Sequence, residues 1–325
     1  MRLFVTGGCG FIGSNFIRFV LAKYKDTRVT NLDKLTYCAN TANLEDISND
    51  VRYSFVKGDI CDREMVEDLM SSADIVLNFA AETHVDRSIK YPDEFLTTNV
   101  YGTKTLLDAA RKKGVSRFVQ IGTDEVYGSV PEGFSKESDP LKPNSPYSAT
   151  KAAADLLALS YYTTYGLPVI VTRSSNNFGP YQYPEKVIPL FITNLIDGKK
   201  VPLYGDGGNV RDWIFVGDNC AAVDLLMRDG RPGETYNIGG GTHLSNFELT
   251  NTILAGMNRG KEFIEHVKDR PGHDRRYALD SSKARDLGWK PGFDFGTAIA
   301  DTICWYRDNE HWWRPLKEKA EIISW

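Results

Sequence analysis

Two adjacent carboxylates, Asp124 and Glu125, follow the apolar run 117–122. Like charges that are withdrawn from water raise one another's pKa, so one carboxyl can stay protonated while its neighbour is ionised. An acid and a base would then lie side by side, which the elimination of water requires. A solvated loop is the alternative for any acidic dipeptide. The place of this pair at the end of a predicted strand favours a site, because sites of parallel sheets lie beyond the carboxyl ends of their strands.

The segment Gly7–Gly13 carries four glycines between a predicted strand and a predicted helix. Glycines let backbone amides approach a pyrophosphate, and the helix N-terminus adds partial positive charge. Asp33 ends the second predicted strand, where a carboxylate meets the adenosine ribose diol and repels a 2′-phosphate. The pattern predicts a dinucleotide site that prefers NAD to NADP. The alternatives are a tight strand–helix turn and a solvated turn aspartate.

Two more predicted strand ends fit the same cofactor. Asp59 follows the third strand and is a candidate for the adenine end, and Ala80-Ala81-Glu82-Thr83 follows the fourth. Small residues there let a cofactor pass close to the backbone. Four strand ends that serve one ligand make coincidence the weaker interpretation.

Tyr147 and Lys151 stand four residues apart in a helical run, so both project from one face. An ordinary tyrosine has a pKa of about 10, which is too high for a base at neutral pH. A nearby ammonium and the positive ring of an oxidised nicotinamide would favour phenolate and lower that pKa. By itself the pair is most often a solvated helix face. After a nucleotide-binding half it is typical of short-chain dehydrogenase/reductases.

The elements that must position these residues alternate between strands and helices in the first half of the chain, which predicts a parallel sheet. We expect an α/β, Rossmann-like doubly wound sheet over residues 1–174 and a smaller C-terminal α/β substrate domain over 175–325. A strand near 235–238 could return to the first sheet. The predicted strands are Arg2–Thr6, Arg28–Leu32, Val51–Lys57, Asp74–Phe79, Arg117–Gly122 and Val169–Arg173, and predicted helices include Leu96–Lys113, Tyr147–Tyr165, Lys186–Asp197, Asp218–Met227 and Phe295–Arg307.

The chain has 325 residues, of which 42% are hydrophobic and 25% charged, with a net charge of −4. These values exclude a disordered chain and a disulfide scaffold, and they give no global attraction to nucleic acid or an anionic membrane. Five scattered cysteines predict free thiols in a reducing compartment. No run is long enough for a signal peptide or a membrane span, so we expect a cytoplasmic protein without a metal site.

The motifs together resemble the extended short-chain dehydrogenase/reductases, and within them the dTDP-glucose 4,6-dehydratases, over nearly the whole chain. The matching segments are Thr6–Ser14, Asp33–Tyr37, Ala80–Ile89 (AAETHVDRSI), Thr123–Ser129 (TDEVYGS), Tyr147–Lys151, Ser174–Pro189 (SSNNFGPYQYPEKVIP), Tyr204–Val216 (YGDGGNVRDWIFV) and Asp269–Tyr277 (DRPGHDRRY).

The resemblance implies a lyase that converts dTDP-glucose into dTDP-4-keto-6-deoxyglucose with NAD recycled. Tyr147 would take the proton of the 4-hydroxyl while hydride passes from C4 to NAD. Thr123 would hydrogen-bond the same oxygen, and Lys151 would hold the ribose and lower the tyrosine pKa. Glu125 would then remove the C5 proton and Asp124 would protonate the C6 hydroxyl, so that water leaves. Hydride returns to C6 and a proton to C5.

The same resemblance assigns two sets of binding residues. Those for NAD are Gly7, Gly10, Phe11, Ile12, Gly13, Asp33, Lys34, Thr36, Asp59, Ile60, Ala80, Ala81, Thr83, Thr98, Tyr147, Lys151 and Asn177. Those for the nucleotide sugar are His84, Thr123, Asp124, Glu125, Asn176, Lys186, Val187, Arg211, Asn246, Asp269, Arg270 and His273. Arg211 is the best candidate for the diphosphate, because a guanidinium fork fits phosphate oxygens. Pairing with Asp212 is its alternative, and the two histidines could equally be structural.

Three other functions remain open at this point. A nucleotide-sugar 4-epimerase shares the fold, NAD and the Tyr–Lys pair but does not need Asp124 and Glu125. A dehydratase for another nucleoside diphosphate sugar needs every group named here. A non-catalytic NAD sensor would keep the glycines and lose the tyrosine. The resemblance further implies a homodimer through a four-helix bundle, built here from the helices 96–113 and 147–165.

Overall fold

The computed structural model describes residues 1–269 and 272–320. Apolar runs that are short and rich in β-branched residues form its strands. In chain order these are β1 Arg2–Thr6, β2 Arg28–Asp33, β3 Tyr53–Lys57, β4 Ile75–Asn78, β5 Arg117–Thr123, β6 Val169–Ser174, β7 Asn176–Phe178, β8 Val201–Tyr204, β9 Val210–Phe215, β10 Glu234–Ile238, β11 Thr242–Ser245 and β12 Ile264–Val267.

Seven of these strands form one sheet in the order β10-β6-β5-β4-β1-β2-β3, and every neighbouring pair is parallel. The doubly wound parallel sheet predicted from the sequence is therefore confirmed, and the strand at 234–238 returns to it beside β6. The strand order reverses between β1 and β4. Ligands of such sheets bind at this reversal, beyond the carboxyl ends of the strands.

The helices whose bounds were predicted begin and end within about two residues of the structure, with one exception given below. In chain order they are α1 Phe11–Lys23, α2 Arg63–Met70, α3 Val85–Lys90, α4 Pro92–Phe95, α5 Thr103–Lys113, α6 Pro146–Tyr165, α7 Val187–Ile196, α8 Val216–Asp229, α9 Asn246–Gly256, α10 Ser282–Asp286, α11 Phe295–Asp308 and α12 Glu310–Lys319.

The sheet is covered on both faces because its strands carry apolar side chains on both sides. Leu3, Val5 and Val119 pack on one face against α1 and α8. Phe4 and Phe118 pack on the other face against α2, α5 and α6. The two cores fix the strand ends, and hence the loops that follow them, as one rigid edge.

A second group of elements packs beside that edge. Strands β11, β9 and β7 form a three-stranded sheet, and β12 pairs with β8. Helices α7, α9, α11 and α12 enclose an apolar core that includes Trp213, Tyr306 and Trp313. Within the described ranges, no helix is long and apolar enough to cross a membrane.

The predicted helix Leu96–Lys113 is wrong in its first two turns. Residues Leu96–Gly102 form a π-helical segment, and the α-helix begins only at Thr103. The buried Asn99 explains the departure, because its side chain accepts the Glu82 N–H (2.9 Å) and donates to the Glu82 carbonyl (3.1 Å). The wider turn brings this side chain to the loop after β4, and such π segments are frequent at functional sites.

Candidate active site

The glycine-rich segment is fastened to the end of β2. Gly7 N–H donates to the Leu32 carbonyl (2.9 Å), and Cys9 N–H donates to Oδ2 of Asp33 (2.9 Å). Leu35 N–H donates to the other oxygen of Asp33 (2.8 Å). Burial raises the pKa of Asp33, while the two backbone donors act to lower it. A carboxylate has about four lone-pair sites, so Asp33 can still accept from a ribose diol.

The same segment leaves backbone amides for an anion. Gly7 has a φ of +71°, and a Cβ there would lie 2.5 Å from the Ala80 nitrogen. Helix α1 follows with Gly10 as its N-cap, which has no side-chain acceptor, and no acidic residue lies in the first turn. The first N–H groups of a helix have no partner inside the helix. This geometry is suited to a pyrophosphate.

One cavity runs along the carboxyl edge of the large sheet. Every residue predicted to bind the cofactor lines it: Gly7, Gly10, Phe11, Ile12, Gly13, Asp33, Lys34, Thr36, Asp59, Ile60, Ala80, Ala81, Thr83, Thr98, Tyr147, Lys151 and Asn177. The structure therefore brings the predicted cofactor set together. Lys34 and Asp59, which were predicted separately, form an ion pair of 2.7 Å at one end.

The residues present fit NAD. The cavity combines the glycine segment with Asp33, whose charge disfavours a 2′-phosphate. Two buried side-chain oxygens that line it, Oδ1 of Asn176 and Oδ1 of Asn177, have no hydrogen-bond partner among the described residues. Unpartnered buried polar atoms are costly, and a bound polar ligand would satisfy them.

The acidic pair lies in the same cavity. Strand β5 ends at Thr123, and a 3₁₀ turn, Asp124–Tyr127, follows directly. The Thr123 hydroxyl accepts the Glu125 N–H (3.3 Å) and donates to Oδ1 of Asp124 (3.3 Å). Asp124 is 3% exposed. Burial raises its pKa well above the ordinary value, and Glu125 and Asp212 add to the rise, so Asp124 keeps its proton at a pH where ordinary carboxyls are ionised.

Tyr147 and Lys151 extend from the first turns of α6 into the cavity. Burial raises the pKa of Tyr147, Glu125 adds to the rise, and a hydrogen bond with Thr123 opposes it. The predicted lowering of this pKa includes the positive ring of bound oxidised nicotinamide, so it stays a prediction. The ammonium of Lys151 donates to the Ile121 carbonyl (2.5 Å), and burial lowers the pKa of this lysine.

The predicted nucleotide-sugar residues divide into two groups. Thr123, Asp124, Glu125, Asn176 and Lys186 line the cavity. The remaining described members, which do not line it, are His84, Val187, Arg211, Asn246, Asp269 and His273. Arg270 lies outside the described residues.

The structure gives two of these remaining members local roles. His84 is the N-cap of α3, since its Nδ1 accepts the Arg87 N–H (3.3 Å), and its Nε2 lies 3.8 Å from Oε1 of Glu185. Val187 begins α7 and packs against the apolar core of the second group of elements.

Arg211 does not pair with Asp212. Its guanidinium donates to the carbonyls of Val210 (2.8 Å) and Asp274 (3.0 Å) and lies 4.3 Å from the centre of the Tyr277 ring. Asp212 instead accepts the Thr242 N–H (3.0 Å). The charge of Arg211 acts to lower the pKa of Asp124, so the arginine faces the acidic pair from β9.

Asn246, Asp269 and His273 lie farther along the same side. The Asn246 N–H donates to the Asn209 carbonyl (2.9 Å), beside β9. His273 Nδ1 lies 2.6 Å from Oδ1 of Asp269. These contacts order the loops next to Arg211.

The chain is similar to known proteins over nearly its whole length. A family model described as GDP-mannose 4,6 dehydratase matches residues 4–302. A dTDP-glucose 4,6-dehydratase of Streptomyces antibioticus is 55% identical over 98% of this chain and 96% of its own length. The chain belongs to the dTDP-glucose 4,6-dehydratase family. A crystal structure of such a dehydratase, DesIV of Streptomyces venezuelae with NAD bound, is 51% identical, has a TM-score of 0.95, and covers 97% of this chain and 100% of that chain.

Epimerases of the same fold are more distant from this dTDP-glucose 4,6-dehydratase family member. The UDP-glucose 4-epimerase of Thermus thermophilus, solved with NAD, is 32% identical with a TM-score of 0.88, over 95% of this chain and 100% of that chain. The shared fold explains why the glycines and the Tyr–Lys pair did not by themselves separate the two activities.

Sequence reasoning missed several residues that line the cavity of this family member. They are Leu32, Cys38, Ala39, Gly58, Phe79, Glu82, Ile121, Gly122, Ser174, Ser175, Gln182 and Tyr183. Most of them lie at or just after strand ends, so the same strand-end rule would have found Gly58, Phe79 and Ser174. Gln182 and Tyr183 come from the second group of elements and carry no such local signal.

Proposed function

We propose that this chain converts dTDP-glucose into dTDP-4-keto-6-deoxyglucose and water, with NAD recycled. One observation carries the proposal: the buried Asp124, whose pKa burial raises, lies next to Glu125 in the cavity that also contains the glycine segment and Tyr147. Oxidation alone needs Tyr147 and NAD. The additional acid and base are what the loss of water needs.

The residues that hold NAD are the amides at the start of α1, Asp33 at the ribose and Lys151 at the other end of the cavity. NAD, when bound, supplies a hydride acceptor for C4 of the sugar and a hydride donor for C6. Similarity supports this choice of cofactor, because DesIV was crystallised with NAD.

The chain's own residues move the protons. Tyr147 takes the proton of the 4-hydroxyl, and Thr123, which hydrogen-bonds Tyr147, steadies the same oxygen. Since burial raises the pKa of Tyr147 in the protein alone, the positive charge of oxidised nicotinamide is required to favour its phenolate.

Once C4 is a carbonyl, the proton on C5 is acidic and Glu125 removes it. Asp124 gives its proton to the C6 hydroxyl, the C6–O bond breaks, and water leaves. Glu125 later returns a proton to C5. After the reaction Tyr147 holds one additional proton and Asp124 lacks one. Tyr147 releases its proton to solvent and Asp124 takes one up, so the protein regains its starting protonation state.

The test uses the purified protein with dTDP-, UDP-, GDP- and CDP-glucose, without added NAD, and measures product masses. We expect dTDP-glucose to lose one water and the other substrates to react far more slowly. An isomer of unchanged mass would indicate epimerisation, and a different preferred nucleotide would overturn the assigned substrate. Tyr147→Phe, which removes one oxygen, is the matched control and should show no turnover.

We further infer a division of labour and a location. Residues 1–174 supply most of the NAD site together with the catalytic residues, and residues 175–325 supply most of the other groups for the nucleotide sugar, with β10 crossing back to the large sheet. The five cysteines are free thiols, which supports a reducing compartment such as the cytoplasm. The location can be tested by measuring dehydratase activity on dTDP-glucose in fractions of lysed cells. Recovery in the cytoplasmic fraction would support it, and recovery in another fraction would overturn it.

We also propose a homodimer through α5 and α6. Large apolar side chains lie exposed on α6 and on the π segment before α5: Leu96 and Tyr101 are each 52% exposed and Leu156 is 56% exposed. Helix α6 packs against both α5 and the π segment, and we infer that these side chains belong to one surface that a second copy covers. Pairing two such helix pairs makes a four-helix bundle.

A further inference from the structure

A buried carboxylate lies directly behind the reacting residues. Tyr147, Lys151 and Asp155 follow one another at intervals of four on α6, so all three share one helix face. Asp155 accepts a hydrogen bond from Nε of Arg173 (2.9 Å). The side chains of Asp155 and Arg173 are 0% and 3% exposed, and neither residue lines the cavity.

The carboxylate of Asp155 is pressed against strand β5. A Cβ added to Gly122 would lie 2.5 Å from the Thr172 carbonyl oxygen and 3.0 and 3.2 Å from the two oxygens of Asp155, so the glycine leaves room for β6 and for this carboxylate. The adjacent carbonyl of Ile121 accepts the Lys151 ammonium at 2.5 Å. The carboxylate of Asp155 and the ammonium of Lys151 therefore lie against adjacent residues of β5.

Arg173 is fixed on the far side of this anion. It lies opposite Gly122 in the parallel register of β5 and β6. Its second nitrogen donates to the Tyr127 hydroxyl (2.8 Å), which in turn donates to Oδ1 of Asn237 (2.8 Å). These partners fix the guanidinium beside Asp155. Replacing Asp155 by a neutral residue would therefore leave Arg173 as a buried cation without its anion.

Stability alone does not account for this arrangement. Buried ion pairs are often matched or surpassed by neutral residues of similar volume. In the described part of the chain, Oδ1 of Asp155 has no hydrogen-bond partner, which adds to the cost of burying it. Burial lowers the pKa of Lys151, and Asp155 is the charged group that opposes this.

We propose that Asp155 is a positioning residue that keeps the buried Lys151 in its ammonium form. The inference rests on the proposed function for the role of that ammonium at the ribose and beside Tyr147. Because Asp155 is two helical turns from Tyr147 and one turn from Lys151, its action is mainly on the lysine. Without it, a fully buried lysine would lose its proton within the working pH range.

The charged and titratable groups that face Asp155 are few in the described ranges. On its own helix they are Lys151 and, more distantly, Tyr147. Arg173 faces it from β6, and Tyr127 lies behind that arginine after β5. Asp124 and Glu125 act electrostatically on Tyr147, on which Asp155 acts as well. Among these, Asp155 is the carboxylate that lies one turn of α6 from Lys151 and acts to raise the pKa of this lysine.

The test follows the titration of Lys151 in the NAD-loaded protein by NMR of ¹³C-labelled lysine, with Lys151→Met to assign the signal. In Asp155→Asn we expect the midpoint to fall by at least about one pH unit, the size expected when a neighbouring opposite charge is removed. Asp155→Glu keeps the charge and should titrate within about half a unit of the parent.

A lower melting temperature in Asp155→Asn with an unchanged midpoint would overturn the proposal, because a purely structural role predicts that result. If Asp155→Asn does not fold, Asp155→Asn combined with Arg173→Gln removes the stranded cation as well and should show the same fall. An unchanged midpoint there would equally overturn it. The titration needs no sugar nucleotide, so its outcome is independent of whether the parent dehydrates dTDP-glucose.

Discussion

Asp124 is a buried carboxyl whose environment departs strongly from its ordinary chemistry. Burial raises its pKa, so the folded chain binds a proton there that the unfolded chain has released. The folded state is therefore favoured at low pH, and this contribution is lost as pH rises from about 4 through the folded-state pKa. Asp124 must be protonated for catalysis, and its ionisation lowers the stability of the folded protein.

Asp124→Asn should accordingly make the protein more stable and less active. We expect Tm to rise by a few degrees at pH 8 and by less at pH 5, since the variant has no carboxyl to ionise. Dehydration should slow about 10²- to 10⁴-fold. Thermal unfolding at the two pH values checks the first part, and an equal change in Tm at both would contradict the assigned protonation.

Glu125→Gln separates the two halves of the reaction. We expect loss of the C5 proton to slow about 10²- to 10⁴-fold while oxidation at C4 changes less than about tenfold, because Tyr147 performs that step. Single-turnover formation of reduced cofactor measures oxidation, and entry of solvent deuterium at C5 measures proton removal. Equal loss of both rates would show that Glu125 has a different role.

Residue types at strand ends were predictable, and contacts between distant segments were not. Asp33, Asp59 and Asp124 each follow a strand, so chain position alone brings them to one edge. Arg211 was predicted as a ligand of the diphosphate, which stays a prediction, and its hydrogen bond to the Asp274 carbonyl depends on the path of a segment more than sixty positions away. No local pattern encodes that path.

At the scale of elements, the turn after β1 is the most constrained feature of the cofactor site. Gly7→Ala would place a Cβ 2.5 Å from the Ala80 nitrogen at a φ of +71°. Left-handed strain costs about 1 kcal/mol and the clash about 1–3 kcal/mol more. We expect a lower Tm and loss of copurified NAD, which absorbance of the released nucleotide measures.

Gly114→Ala is the matched control for this change. Gly114 ends α5 at a φ of +66°, and a Cβ there would meet nothing within 4 Å. It should cost only the backbone strain and leave NAD content unchanged. Equal loss of NAD in both variants would mean that the effect of Gly7→Ala is general destabilisation.

Elements were predicted well where local apolar pattern decides them. The strands of the large sheet are apolar on both faces, which is a strong signal, and their predicted bounds lie within about two residues of the structure. The π segment 96–102 was missed because its cause is a side-chain contact, from Asn99 to Glu82 and Thr150. An apolar pattern with helical spacing does not distinguish the two kinds of turn.

Across the whole molecule, the end of the chain is tied to its beginning. Trp312 of α12 donates its indole N–H to Oδ1 of Asn43 (2.9 Å), and Asn43 donates to the Cys9 carbonyl in the glycine segment (2.8 Å). Helix α12 therefore supports the cofactor loop through Asn43, which lies 269 positions before Trp312. Only the folded chain shows this, since neither tryptophan nor asparagine carries a sequence signal for it.

The assembly gives the last prediction. Leu156→Glu would place a charge at the centre of the proposed dimer surface, where burial without a partner is costly. We expect the monomer–dimer Kd to rise at least about tenfold, which corresponds to about 1.4 kcal/mol. Light scattering after size-exclusion chromatography should show two copies for the parent and one for the variant at the same concentration. Val51→Glu, at a site that is 90% exposed in a turn, should leave the mass unchanged. A monomeric parent, or a Leu156→Glu variant that stays dimeric, would place the interface elsewhere.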